Sequence, residues 1–223
     1  MFLSIGNSCK VREAIQRHLS LKTMETNIFD WVLTNFYSII YILENIDSPF
    51  QENDFYDSGE TCLNHRRIQH NKIRFGSIHD IRKDLPYEDQ LPQFLEKYNR
   101  RLQRFKEHIL GNETIYFIHL VDCNYNFRLP NKPLYIPSYE EVQSFHKALY
   151  KINPHCQYQL HILIPPPYCK VYKKNFHFDK NEVNLLQNKN TFIHYLEQDE
   201  LKETFSDQCQ HWSWDTVFQN IIK

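Results

Sequence analysis

The residues best suited to chemistry stand at the start of the chain, in Phe2-Leu-Ser-Ile-Gly6-Asn7-Ser8-Cys9-Lys10-Val11-Arg12. An apolar run meets a Gly-Asn-Ser turn, and then Val11, Ala14, Ile15 and Leu19 follow at the three-and-four spacing of an amphipathic helix. The pattern predicts strand, tight turn, helix. Asn7 or Ser8 would cap that helix, since a side-chain oxygen accepts from the free first-turn amides, and Gly6 lets the chain reverse sharply. Cys9 then falls in the first helical turn, where the helix dipole and unpaired amides lower a thiol pKa and offer donors to an oxyanion. Lys10 and Arg12 add positive potential. The other use of a cysteine at such a junction is as a small buried hydrophobe.

A thiolate nucleophile needs a base, and the base needs an orienting group. His79, at the end of a predicted strand and after Gly76-Ser77, is the leading base. Asp30, between Phe29 and Trp31, is the better placed acid, because its aromatic neighbours would exclude water. Asp80 is the second choice, since adjacent strand residues point to opposite faces. Asp122, at another strand end, reads as a surface or capping carboxylate. Arg100, Arg101 and Arg104, with Lys106, form a basic helix flank that is either a possible anion-binding site or a solvated face. Cys156, Cys169, His177, Cys209 and His211 share the C-terminal third, but their spacings fit no zinc module. No metal and no cofactor is therefore expected.

The elements that would position these groups follow from periodicity and breakers. Leu21 to Ile28 reads as a linker, and Thr34-Asn35 opens a helix with Phe36, Ile39, Ile40, Leu43 and Ile46 on its apolar face. Asp47 to Glu60, acidic and holding Pro49 and Gly59, reads as a surface loop. Strands are expected over 66–70 and 73–80, with Asn71-Lys72 as the hairpin turn. Glu88 to Leu110 is the clearest helix, with a stripe of Leu91, Leu95, Tyr98, Leu102, Phe105 and Ile109 and a stop at Gly111. Further strands are expected over 114–121, 158–164 and 190–196. A capping box at Ser138-x-x-Glu141 opens a helix through Leu149, and Trp212, Trp214, Val217, Phe218 and Ile221 suggest a closing helix. Strands alternating with helices predict an α/β layered fold with a largely parallel sheet flanked by helices. One domain spans 1–223, with 122–223 completing the fold begun by 1–121.

Composition bounds the rest. With 223 residues, 41% hydrophobic and 15% aromatic, the chain can bury one sizeable core. A formal net charge of -1 gives no electrostatic case for nucleic acid or an anionic membrane surface. Four glycines leave no room for G-x-G-x-x-G or P-loop phosphate cradles. The six cysteines lack C-x-x-C pairs and read as free thiols. Met1 is followed at once by a core strand, with no signal-peptide pattern and no membrane-spanning run, so a cytoplasmic protein is expected.

Two resemblances bear on function. The strand leading to Gly6-Asn7-Ser8 is similar to the first block of SGNH esterases, which would make Ser8 the nucleophile. That family's Asp-x-x-His has only Asp207-Gln-Cys-Gln-His211 here, one residue too long. More of the chain, roughly its first half, resembles the predicted papain-like cysteine peptidase family, a domain of unknown function found in bacteria and large DNA viruses. The blocks are Gly6-Asn7-Ser8-Cys9-x-x-Arg12, Phe29-Asp30-Trp31, His79-Asp80 and Arg100-Arg101-x-x-Arg104-Phe105, in that order. The resemblance implies Cys9 as nucleophile and His79 as base, with Asp30 and Asp80 both inside matching blocks. Asn7 or the backbone amide of Cys9 would serve the oxyanion. The implied activity is a cysteine-nucleophile hydrolase or acyltransferase acting on a peptide, acyl or carbohydrate-linked substrate. The competing expectation is a non-catalytic binding module for an anionic or carbohydrate ligand, in which Arg12, Asp30, His79 and Arg100 are buried polar glue or ligand contacts.

Overall fold

Two four-stranded sheets share one long helix. The computed structural model describes residues 1–6, 9–18, 25–121, 135–165, 168–169, 174–175, 178–197 and 214–222. In chain order the elements are β1 (Phe2–Ser4), α1 (Cys9–His18), β2 (Val32–Thr34), α2 (Phe36–Glu44), β3 (Phe55–Cys62), β4 (His65–His70), β5 (Phe75–Arg82), α3 (Tyr87–Leu110) and β6 (Ile115–Leu120). They continue with α4 (Tyr139–Ile152), β7 (Tyr158–Ile164), the two-residue strands β8 (Tyr168–Cys169) and β9 (Lys174–Asn175), α5 (Lys180–Asn184), β10 (Thr191–Tyr195) and α6 (Trp214–Ile222).

The first sheet runs β1-β6-β7-β10 and every neighbouring pair is parallel. Phe2 stands opposite Tyr116, Ile115 opposite Tyr158 and Leu160 opposite Thr191. Helices lie against both faces, which is why β6 and β7 read as near-continuous apolar runs. On one face the rings of Phe117 and His119 meet Phe36 of α2, Phe105 of α3 and Phe145 of α4. On the other, Phe2 stacks on Tyr116 and meets Phe218 of α6, with α1 packed beside α6. The early strand β1 and the late strands β7 and β10 belong to this one sheet, so the two halves of the chain build it together.

The second sheet, β2-β5-β4-β3, is antiparallel throughout. Its inner face carries Phe55 and Phe75, which pack on Phe94 and Tyr98 of α3. At about 1.5 Å per residue α3 is about 36 Å long. That length lets its first half cover the second sheet while Phe105, near its end, packs on Phe29 and on Phe117 of the first.

The mixed α/β architecture matches the expectation, and two local readings need correction. The stretch Asp47 to Glu60, expected as a surface loop, ends in β3 from Phe55 onward. Only Phe55 of that edge strand is buried, and a bulge between Asp57 and Thr61 breaks the alternation. No periodic signal was there to read. The strand β2, inside what read as the approach to α2, is only three residues long. The caps follow the sequence: Asn35 Oδ1 accepts from the Ser38 amide at 2.9 Å, and Ser138 and Glu141 form the reciprocal capping box.

Histidines tie the layers. His146 of α4 lies 2.7 Å from Tyr158 Oη and 2.8 Å from Thr191 Oγ1, joining the helix to β7 and β10. His161 of β7 lies 2.9 Å from His194 of β10. No helix among the described residues is long and apolar enough to cross a membrane.

Gly6 closes β1 with φ +98°, and a Cβ there would come within 2.9 Å of Thr34 Cγ2 and 3.1 Å of Ile39 Cδ1. Gly6→Ala should therefore cost about 2 kcal/mol, combining left-handed strain with overpacking. Urea denaturation of the two proteins measures it, and an unchanged midpoint would show that the turn is not held in this conformation.

Candidate active site

The helix α1 opens at Cys9, three residues after Gly6, as the periodicity predicts. Asn7 and Ser8, and the side chains of Cys9 and Lys10, lie outside the described residues. So do Asp122, His177, Asp207, Cys209 and His211, together with the side chain of Cys169. One turn into α1, Arg12 is 2% exposed and its Nη1 lies 3.5 Å from Oδ2 of the wholly buried Asp30.

Asp30 owes its position to a short turn. The Asn27 amide donates to Asp30 Oδ2 at 2.8 Å, and Asn27 Oδ1 accepts from the Phe29 amide at 2.7 Å. Asn27 Nδ2 also donates to the Ser4 carbonyl at 3.2 Å, which ties the turn to the end of β1. Burial pushes the Asp30 carboxyl up to about 6, against the pull of Arg12, the Asn27 amide and Arg101. A carboxyl in so dry a setting is a positioning group whose charge depends on its two arginines.

From Asp30 the polar chain continues into α3. Arg101 Nη1 donates to the Asp30 carbonyl at 3.3 Å and its guanidinium lies over the Tyr98 ring. Tyr98 Oη donates to Asp80 Oδ2 at 2.8 Å. Asp80 also accepts from Ser77 Oγ and Lys97 Nζ. Burial alone would raise the Asp80 carboxyl, but those hydrogen bonds outweigh it and hold it below the usual carboxylate range. Asp80 thus serves α3 and β5, and its carboxylate bonds to these groups and not to the His79 ring.

His79 is exposed, and a bulge puts it there. Ile68 pairs with Ser77 and Arg66 with Ile81, so residues 78–80 stand against Arg67 alone. Bulges of this kind re-aim side chains. The His79 ring meets the rings of Trp31 and His65 edge to face, at 6.5 and 6.4 Å, and makes no hydrogen bond to any described residue. Trp31 itself has φ +68°, an uncommon conformation for a bulky side chain and one that surrounding structure must enforce. The blocks around Arg12, Asp30-Trp31, His79-Asp80 and Arg101 are therefore one connected cluster.

The basic flank of α3 is not a single surface. Arg100 is exposed and paired with Glu96, Arg101 is buried on Asp30, and Arg104 donates to the Thr26 carbonyl at 3.0 Å and pairs with Glu25. The three guanidinium groups take different partners, so this flank is neither one shared site nor one solvated face. Two concavities of about 260 and 360 Å³ lie instead at the β4–β5 turn, sharing His70 and Lys72. The larger is lined by Arg67, Lys72 and Arg74 and by no carboxylate. Neither is lined by Arg12, Asp30 or His79.

Sequence reasoning passed over His119, in the last turn of pleat before the end of β6. Its Nδ1 lies 2.8 Å from the Ile5 carbonyl, so that nitrogen carries the proton, and its buried Nε2 has no hydrogen-bond partner among the described residues. Burial pushes its pKa down to about 4. The one signal available was a polar residue inside the apolar run Ile115-Tyr-Phe-Ile-His-Leu120. Among the described residues no group of three or more His, Cys, Asp or Glu is arranged to hold a metal. Comparison with protein-family models, curated proteins and solved structures gives no match.

Two outcomes follow from this network. Asp30→Ala leaves Arg12 buried without its carboxylate and should cost about 3–5 kcal/mol, while Arg12→Met combined with Asp30→Leu should cost much less. Equal losses in the two variants, read by urea denaturation, would contradict the pairing. The second outcome concerns pH. Burial holds His119 and His146 at about 4 and His161 at about 3, below the unfolded value near 6.5. As pH falls below 6.5 the unfolded chain takes up protons that the native imidazoles refuse, so stability declines toward those native values. Between pH 7 and 5 this costs about 2 kcal/mol for each of His119 and His161. Asp30 acts in the opposite sense: its raised pKa favours the native state in acid and that contribution is lost as pH rises through about 6. It returns about 1.4 kcal/mol over the same interval. The urea midpoint should therefore fall from pH 7 to 5, and a flat or rising profile would count against neutral buried imidazoles.

Proposed function

We propose that this chain is a thiol-dependent hydrolase or acyltransferase in which Cys9 is the nucleophile and His79 the base. The observation that carries the reading is the contact chain Arg12–Asp30, Trp31–His79. It joins the start of the helix that begins with Cys9 to an exposed imidazole contributed by a distant segment. The left-handed Trp31 between them and the resemblance of the same blocks to the predicted papain-like cysteine peptidases lend support.

In the proposed cycle His79 takes the thiol proton as Cys9 sulfur attacks a substrate carbonyl carbon, forming the C–S bond. The first-turn amides of α1 hold the tetrahedral oxyanion. Collapse breaks the bond to the leaving group, which receives the proton from His79 and leaves a thioester. Water, or another acceptor, then gives its proton to His79 and attacks the thioester, releasing product and restoring the thiol. Asp30 and Arg12 are positioning residues that fix where α1 begins.

A second reading has its own observation. The concavity lined by Arg67, Lys72 and Arg74 suits a binding module for an anionic ligand, with Arg12, Asp30 and Arg101 serving only the fold. Alkylation of Cys9 by iodoacetamide, followed peptide by peptide across pH, separates the two. The enzyme reading expects an apparent thiol pKa at least one unit below the ordinary value near 8.5, returning toward it in His79→Gln. A Cys9 that titrates like a model thiol in both proteins sinks the catalytic proposal.

A further inference from the structure

The face of the parallel sheet that carries Phe2 bears a row of rings running from β1 to β10. Phe2 stacks on Tyr116, Tyr116 lies beside His161, and His161 stacks on Phe192. Phe192 is half-buried, as are Gln159 and His194 beside it, so this end of the row is open to solvent. Here His161 Nδ1 and His194 Nε2 face each other at 2.9 Å.

The tautomer of His161 is set from behind. Its Nε2 lies 3.1 Å from Gln159 Oε1, an acceptor, so Nε2 carries the proton and Nδ1 presents its lone pair to His194. Burial lowers both imidazoles, and His194 lowers His161 further. Two adjacent imidazole nitrogens, one of them on a ring oriented by the Gln159 side-chain carbonyl at its far nitrogen, become a metal-binding pair once the proton they share has moved away. Metal–nitrogen bonds of about 2.0–2.1 Å place two ligand nitrogens about 2.9 Å apart at a right angle and about 3.3 Å apart in a tetrahedron. The observed 2.9 Å equals the right-angle separation, while ring centroids 5.1 Å apart set the two rings nearly head-on, so each ring turns by about 30° to aim at a shared ion.

We propose that His161 and His194 form a two-histidine site for a divalent ion of square-planar or octahedral preference, with Ni²⁺ and Cu²⁺ the best matches and solvent completing the coordination. His161 binds through Nδ1 while Nε2–H stays on Gln159. His194 binds through Nε2 after moving its proton to Nδ1, a tautomer change that releases no net proton. Without the ion the same two nitrogens share one N–H···N hydrogen bond, which is the arrangement seen here. Both rings sit on adjacent strands of one sheet, so the backbone holds the pair at the required spacing. The site does not depend on Cys9 or His79.

Isothermal titration with Ni²⁺ at pH 7.5, on the full chain after its accessible thiols are alkylated, tests this. The wild-type protein should bind one ion with micromolar affinity. His194→Gln, at a half-buried position that tolerates a polar side chain, should weaken binding at least 10-fold with the circular dichroism unchanged. Gln159→Leu should weaken it about 10- to 100-fold by releasing the ring of His161. Equal binding by the wild type and His194→Gln overturns the proposal, as does a wild-type protein that takes up no Ni²⁺ at millimolar concentration.

Discussion

The buried pairing of Arg12 with Asp30 is the constraint on which the arrangement of this protein turns. Removing a guanidinium and a carboxylate from water costs several kcal/mol per ion, and attraction repays it only when the geometry and the surrounding hydrogen bonds are good. Here the carboxylate receives the Asn27 amide, and its residue's carbonyl receives Arg101 from a helix seventy residues away. Asn27 in turn holds the Ser4 carbonyl. Four segments, the end of β1, the start of α1, the 27–30 turn and the middle of α3, thus have one mutually compatible placement. Apolar packing alone would allow them to slide, because Phe29 on Phe105 or Val11 in the core tolerates displacement that a charge pair does not.

The parallel sheet was legible in the sequence and the antiparallel one only in part, for a physical reason. Strands covered on both faces are apolar at most positions, so β6 and β7 stand out as near-continuous runs. The second sheet is covered by α3 on one face only, and its strands β3, β4 and β5 expose charged residues on the other. Bulges opposite Arg67 on both sides of β4 then break the two-residue period that would have marked the buried face. The bulge in β5 also decides which way His79 points, and nothing in a one-dimensional pattern reports a bulge without an alignment of partner strands.

The candidate site shows the same division. Asp30 was legible because a carboxylate flanked by Phe29 and Trp31 has to be dry, and it is. Arg101 and Arg104 were read with Arg100 as one basic flank, since a helical stripe assigns everything outside it to solvent. α3 is instead enclosed by two sheets and the 25–31 segment, so part of its polar side became interior and two arginines were drawn to backbone carbonyls. His119, His146 and His161 were hidden for the opposite reason. His119 and His161 stand between apolar neighbours and look like core, His146 stands on a helix beside Lys147, and their partners, Ile5, Tyr158, Thr191 and His194, come from elements that only the fold brings close.

The electrostatics at the start of α1 follow from who neutralises whom. Arg12 was expected to lend positive potential to the first turn, yet an ionised Asp30 at 3.5 Å cancels most of that charge at any distance larger than the pair itself. What remains is the half-charge of the helix terminus and the second cation, Arg101, which donates to the Asp30 backbone carbonyl. Because burial lifts Asp30 to about 6, protonation in mild acid uncovers both arginines at once and makes the helix start more positive as the pH drops. That change favours a thiolate at the first turn. On the proposed mechanism, then, the Arg12–Asp30 pair sets geometry at neutral pH, and the proton traffic falls to the exposed ring of His79. The His79 ring rests edge to face on Trp31, whose backbone conformation is costly, so the turn that buries Asp30 also sets where that imidazole stands.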